Sequence, residues 1–204
     1  TDISENPVIP PELIERVLDN AKIEHKPGKN GCTAGIDLAF GGEDDNVGYL
    51  INGNKILDRF SFKGIIDTIE IKNRWKLKLD EWKAMHALKP ECVRIDHGNA
   101  GRSIIDMLRR EGWAGIIEVL NQTAAINSQL YGNRGTELYF IVKRLIEEQC
   151  MQLSSKYPKL VDQLRSRRYR EHATMRGKLI VEPKKEAKAQ GRPSPNDADA
   201  VVLA

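Results

Sequence analysis

Apolar positions recur along this chain with two different periods, and the change from one to the other marks out its elements. From Thr33 to Phe40 the residues form a short apolar run that reads as a buried strand, interrupted by one carboxylate, Asp37, and followed by Gly41-Gly42. Val47 to Ile51 is a second apolar strand, and Asn52-Gly53-Asn54 is a hairpin turn, because Asn-Gly accepts the positive φ of primed turns. Lys55 to Phe62 then alternates as a third strand, so the domain opens with an antiparallel meander. The period next lengthens. Over about Ile66 to Leu88, Trp75, Leu79, Trp82 and His86 fall at helical spacing, with Lys72, Lys76, Lys78, Glu81 and Lys83 on the other faces, until Pro90 ends the helix. Cys92 to Asp96 is a strand ending in an aspartate. A helix from near Gly101 carries Ile104, Ile105 and Leu108 inward and stops at Gly112, and Gly115 to Leu120 is a further short strand. Strand, helix, strand is the order of parallel pairing.

The flanking stretches are simpler. A helix from about Pro11 to Ala21 follows a proline-containing lead, with proline and Glu12 at its positive end. Lys26 to Gly31 is a loop. Beyond the polar stretch 121–135, the spacing of Leu138, Ile141, Val142, Leu145 and Ile146 predicts a helix over Thr136 to Gln149, and a short helix follows near Leu160 to Arg167. Tyr169 to Glu182 reads as a basic hairpin turned at about Arg176-Gly177. Lys184 to Arg192 reads as a charged, exposed tail, and Ser194-Pro195-Asn196-Asp197 opens a final helix through Asp199 and Val201 to Leu203.

The summed order is βββαβαβα, an insertion, then α. Three antiparallel strands followed by parallel ones, with helices on the faces, predicts an α/β ribonuclease H-like fold whose mixed central sheet is flanked by helices and carries an inserted basic β-hairpin. The expected organisation is a linker and helix over 1–32 and the domain proper over 33–204, with the hairpin insertion at about 168–183. The length of 204 residues and 40% hydrophobic content suit one globular domain, or one with a small appendage. Lacking an initiator methionine and ending in an apolar run, the chain reads as cut from something longer. With 32 basic and 29 acidic residues the formal net charge is only +3, so the distribution of charge matters more than its total. Cys32, Cys92 and Cys150 are odd in number and lack paired metal spacing, which argues for a reducing compartment and against structural zinc. No apolar run approaches the roughly 18 residues that a membrane span needs.

Three acidic positions carry the candidate chemistry. Asp37 lies on the first strand, Asp96 at the end of the fourth and Asp199 on the last helix. In the expected fold strands one and four are neighbours and the last helix packs across them, so the three can converge. Clustered carboxylates repel unless cations neutralise them, and hard oxygen donors suit Mg2+ or Mn2+. Two such ions can activate water and stabilise the leaving oxygen of a phosphodiester. Glycines 41, 42, 98 and 101 keep the nearby backbone slim enough for a phosphate chain to approach. Arg168, Arg170, Arg176 and Lys178 concentrate positive charge in the hairpin, a composition suited to backbone phosphates. His97 is read as a capping or packing residue, and Trp75, Trp82 and Trp113 as core.

Four stretches, in order, carry a resemblance. Gly35-Ile36-Asp37-Leu38-Ala39 with Gly41-Gly42 resembles the first nuclease motif of phage terminase large subunits, and Ile95-Asp96-His97-Gly98-Asn99-Ala100-Gly101 resembles the second. Asn133-Arg134-Gly135-Thr136-Glu137-Leu138 is similar to the turn into their third helix, and Ser194-Pro195-Asn196-Asp197-Ala198-Asp199-Ala200 to their closing motif. The resemblance implies a metal-dependent endonuclease, using two Mg2+ or Mn2+ ions, that cuts double-stranded concatemeric viral DNA during packaging in the host cell cytoplasm. It implies Asp37, Asp96 and Asp199 as metal ligands, with Asp197 in reserve and Glu43 as an accessory. It also implies an ATPase motor domain, the portal and the small terminase subunit as partners. No Gly-x-x-x-x-Gly-Lys-Ser/Thr loop occurs here, so no ATP hydrolysis is expected of this chain. A junction resolvase or transposase-like nuclease of the same fold would use the same carboxylates, and a non-catalytic DNA-binding or assembly module would use none. An actin-like nucleotide-binding domain does not suit the acidic residues after Phe40.

Overall fold

The computed structural model describes residues 6–41, 44–96, 98, 101–172, 174–175 and 177–204. In chain order its elements begin with β1 (Asn6–Pro7) and α1 (Pro11–Val17). The central part holds β2 (Cys32–Asp37), β3 (Asp45–Asn52), β4 (Lys55–Lys63), α2 (Thr68–His86), β5 (Val93–Asp96), α3 (Arg102–Arg110) and β6 (Ile117–Val119). The remainder holds α4 (Arg134–Glu147), α5 (Pro158–Ser166), β7 (Arg168–Glu171), β8 (Leu179–Val181), α6 (Lys184–Ala189) and α7 (Asn196–Leu203). These form two compact units, one of residues 1–24 with 120–198 and the other of residues 25–119 with 199–204.

The second unit is built on a five-stranded sheet of order β4-β3-β2-β5-β6. β2 pairs antiparallel with β3 and β3 with β4, whereas β5 joins β2, and β6 joins β5, in parallel. This is the meander followed by parallel strands that the pattern predicts. Ala34, Ile36, Val93 and Ile95 point to one face, where they share a core with Ile71, Trp75, Leu79 and Trp82 of α2 and Ile104, Ile105 and Leu108 of α3. The close approach of α2 depends on Gly48, since a Cβ there would lie 2.6 Å from the Trp75 ring. Trp75, Trp82 and Trp113 are fully buried, as core residues.

Two of these indoles are anchored by carboxylates. Trp82 Nε1 donates to Asp58 at 2.8 Å, and Lys78 Nζ lies 2.8 Å from the same carboxylate. Trp113 Nε1 donates to Asp80 at 3.0 Å. Burial alone would raise the Asp58 carboxyl. The hydrogen bonds from Lys78, Trp82 and the Arg59 amide outweigh it and hold Asp58 below the ordinary aspartate range. A carboxyl depressed in the folded state contributes stability above its unfolded pKa and loses it as pH falls through the folded value. The melting temperature is therefore expected to decline on acidification below about pH 4, and Asp58→Asn to flatten that decline. A thermal-melt series at falling pH checks this. An unchanged slope in the variant would remove Asp58 from the account.

The first unit has a three-stranded sheet of order β1-β7-β8, in which β7 and β8 form the expected hairpin. The lead segment adds a strand to it, since Asn6 pairs with Tyr169 and Pro7 with Arg168. The stretch expected to be an exposed tail is instead ordered: Lys184–Ala189 is helical and Ala187 is buried. The physical reason is ionic, because α6 and the residues beside it are tied to the hairpin by the pairs Arg170–Glu186 and Arg192–Glu182. Among the described residues, no helix is long and apolar enough to cross a membrane.

Candidate active site

The candidate carboxylates arise from the alternation of β2 and β5. In a parallel pair, opposed residues project to the same face. With Ala34, Ile36, Val93 and Ile95 turned to α2 and α3, the intervening Gly35, Asp37, Arg94 and Asp96 turn to the other face. The register sets Gly35 opposite Arg94 and Asp37 directly opposite Asp96. The two carboxylates thus leave adjacent strands side by side, about 5 Å apart at the strand spacing. Asp37 is 4% exposed and Asp96 is half-buried.

Helix α7 covers this same face. A Cβ on Gly35 would lie 2.1 Å from the Ala200 carbonyl oxygen, 2.5 Å from the Ala204 nitrogen and 2.9 Å from Leu203 Cβ. Arg94 donates to the Ala204 carbonyl at 3.1 Å, tying the end of the chain to β5. Asp199 precedes Ala200 by one residue and lies four positions before Leu203, so it shares their side of the helix. It is 5% exposed. Asp197, two residues earlier, lies on the opposite side and accepts a 3.4 Å hydrogen bond from Gln163 Nε2. The Gln163 side-chain carbonyl also accepts from the Ala198 amide at 2.9 Å, satisfying a donor of the first helical turn.

The register thus brings Asp37 and Asp96 together, and α7 carries Asp199 across the face they share. Among the described residues, no group of three or more His, Cys, Asp or Glu is drawn close enough to cage a metal ion. Glu43, His97 and Arg176, with Gly42, Asn99 and Ala100, lie outside the described residues. The donor set available to a cation is carboxylate oxygen, which fits Mg2+ or Mn2+ and not a soft thiolate-seeking metal.

Two glycines allow the chain to turn at the carboxyl ends of these strands. Gly41 has φ +70° and Gly98 has φ +47°, values that a side chain strains. The Gly98 amide donates to Asp96 Oδ1 at 3.2 Å, holding that carboxylate over the turn.

Asn46 is a participant that the sequence reading passed over. It is 1% exposed. Its side-chain oxygen accepts from the Ala39 amide at 3.1 Å, and its nitrogen donates to the Ala39 carbonyl at 2.7 Å. One side chain therefore satisfies both backbone groups of a residue two positions beyond Asp37, locking the exit of β2. The sequence offers little signal, because Asn46 closes the polar stretch Asp44-Asp45-Asn46 just before the apolar run from Val47. Asn46→Ala leaves both Ala39 groups without this partner, and about 1–3 kcal/mol of destabilisation is expected. Urea denaturation measures it. A loss below about 0.5 kcal/mol would mean that water replaces the amide freely.

The hairpin candidates are already engaged. Arg170 makes a two-pronged pair with Glu186, at 2.6 and 3.0 Å, which holds the Glu186 carboxyl below its ordinary range. Arg168 donates to the Arg165 carbonyl at 2.7 Å, and Lys178 is half-buried beside the turn. Arg167, which precedes them, is 6% exposed, lies over the Tyr139 ring and donates to the Glu182 carbonyl at 2.9 Å. In α4, Glu137 accepts from the Ile126 and Asn127 amides, both at 2.8 Å. The motif containing it therefore secures the irregular stretch before the helix.

No protein-family model matches this chain. No curated protein sequence matches it either. Solved structures do. The nuclease domain of the large terminase subunit gp2 of bacterial virus Sf6 matches 97% of this chain and 97% of its own length, with a TM-score of 0.71 at 16% identity. The large terminase nuclease of thermophilic phage G20c, solved with bound magnesium, matches 88% of this chain and 83% of its own, with a TM-score of 0.61 at 15% identity. The large terminase of a second thermophilic bacteriophage matches 98% of this chain with a TM-score of 0.62 at 11% identity, and the chain spans 44% of that protein's length. The Sf6 domain has also been solved with manganese, as a variant, and the G20c domain with cobalt. Together with the mixed five-stranded sheet, these likenesses establish the ribonuclease H-like fold of phage large-terminase nuclease domains.

Proposed function

We propose that this chain is the nuclease part of a phage DNA-packaging terminase, a divalent-metal-dependent endonuclease that cuts double-stranded concatemeric DNA. The observation that carries the reading is the direct opposition of Asp37 and Asp96 on adjacent parallel strands, within a fold shared with terminase nuclease domains. Two carboxylates so placed repel each other unless a cation sits between or beside them.

Asp37, Asp96 and Asp199 would hold Mg2+ or Mn2+, two ions per site, with Glu43 as an accessory. Asp199 is favoured over Asp197 because it shares the side of α7 that meets β2, while Asp197 is held by Gln163. When bound, such ions supply an activated water and Lewis-acid stabilisation of the leaving oxygen. The chain's own residues do the rest. The rigid register of β2 and β5 fixes the separation of the first two carboxylates, and Asn46 and Gly98 hold the turns that follow them. Arg168, Arg170, Arg176 and Lys178 would take the DNA backbone. The nuclease region would be residues 33–204, led by 1–32. Its partners would be double-stranded DNA, the ATPase motor domain of the full-length protein, the portal and the small terminase subunit, in the host cell cytoplasm.

Plasmid cleavage tests this. Supercoiled and linear duplex should be cut with Mn2+ or Mg2+ and not with EDTA. Preference for a four-way junction over both would indicate a resolvase, and no cutting of any substrate would leave a binding module.

A further inference from the structure

The hairpin carries the basic residues expected to meet DNA, yet its central guanidinium is occupied by an acidic side chain of the same unit. Arg170 lies on β7, and both of its terminal nitrogens are bonded to Glu186 of α6, at 2.6 and 3.0 Å. A second tie lies close by in sequence. Arg192, just beyond α6, pairs with the buried carboxylate of Glu182, which also accepts from the Arg168 amide at 3.0 Å. Helix α6 is thus pinned to the strands of the hairpin both along its length and just past its end.

The pinned segment leads straight to α7. Lys184 of α6 lies 3.5 Å from the Asn196 side chain, and Ser194 donates to the same Asn196 oxygen at 2.8 Å. Asn196 begins the helix that contains Asp199. Helix α6 therefore makes one polar contact to the hairpin, through Glu186, and a separate one to the first residue of that helix, through Lys184.

We propose that α6 is an acidic clamp in which Glu186 occupies the place of a backbone phosphate on Arg170, so that double-stranded DNA binds the hairpin by displacing α6. This rests on the nuclease reading only in taking DNA as the competing polyanion. A carboxylate and a phosphate offer the same two-pronged acceptor geometry to guanidinium, so one replaces the other without rearrangement of the arginine. The exchange is biased by salt and by local phosphate concentration. The Arg170–Glu186 pair is partly exposed, with side chains 21% and 42% accessible, so water reaches it and exchange is not blocked by burial. Arg192–Glu182, with Glu182 2% exposed, is the hinge side that stays closed.

The test uses the full chain, EDTA and a fluorescein-labelled non-specific duplex read by anisotropy. Glu186→Gln is expected to tighten binding about three- to tenfold at low salt and to steepen the salt dependence by about one unit of slope, one recovered phosphate contact. Arg170→Gln should weaken binding modestly in the wild-type background and erase the whole gain in the Glu186→Gln background. Amide hydrogen exchange supplies an independent readout, with residues 184–192 expected to exchange faster when duplex is added to the wild type. Wild-type binding with no gain in Glu186→Gln, or with residues 184–192 slowed by duplex, overturns the clamp and leaves the nuclease reading standing. No duplex binding by either protein overturns the clamp, while the nuclease reading stands or falls on the metal-dependent cleavage assay.

Discussion

Asp37→Asn is expected to lower metal-dependent cleavage by about a thousandfold or more, since several kcal/mol of transition-state stabilisation depends on the cation it would hold. The same change should leave the folded state intact. Asp37 is almost fully buried and faces a second carboxylate across one strand spacing, so removing its charge relieves repulsion and keeps a side chain of the same shape. In EDTA the melting temperature should therefore not fall. Saturating Mn2+ separates a ligand from a bystander. At a hundredfold excess over Kd, binding stabilises the wild type by about 2.7 kcal/mol, a rise of roughly 5–11 °C for a chain of this size. The variant should show little of that rise. An equal rise in both proteins, or cleavage retained by Asp37→Asn, would remove Asp37 from the site. Asp96→Asn should behave alike, with a smaller change in the metal-free melt because Asp96 is only half-buried.

Gly35→Ala should be severely damaging for the addition of a single methyl group. The added Cβ would stand 2.1 Å from a backbone oxygen and 2.5 Å from a backbone nitrogen of the last helical turns, neither of which can rotate away. Either β2 bends or α7 lifts. Overpacking of this kind costs about 3 kcal/mol, a fall in melting temperature of roughly 6–12 °C. Because Asp199 rides on α7, Mn2+ affinity should fall with stability. Ala200→Gly should fail to rescue the variant, since the obstacle is the Ala200 carbonyl and not its methyl. A melt within about 2–3 °C of wild type would mean that α7 is not seated on β2.

Much of this architecture was legible in the pattern. Asn52-Gly53 named its own turn, and the change of period after Phe62 separated the meander from α2. The aspartates at the ends of β2 and β5 stood out because a charge at the end of an apolar strand is conspicuous. Other parts were silent for physical reasons. Nothing local marks Asn46 as the partner of Ala39, because a side-chain bond between residues seven positions apart leaves no trace in the hydrophobic pattern. Arg167 and Arg170 look like solvated charges until folding returns Glu182 and Glu186, 15 and 16 residues away, to meet them. The same blindness made Lys184 to Arg192 read as an exposed tail, since a six-residue helix has little propensity of its own and is held by ion pairs.

What the sequence by itself determined was the kind and order of the elements, the fold class and the identity of the conspicuous carboxylates. Those properties follow from periodicity and from the cost of an apolar-flanked charge, both local. Only the tertiary structure decided which residues stand opposite one another. The register that sets Asp37 beside Asp96, the side of α7 that bears Asp199 and the carboxylates that occupy the hairpin arginines all depend on contacts between distant segments. A one-residue slip along β5 would turn Asp96 to the other face of the sheet, and no local preference forbids it.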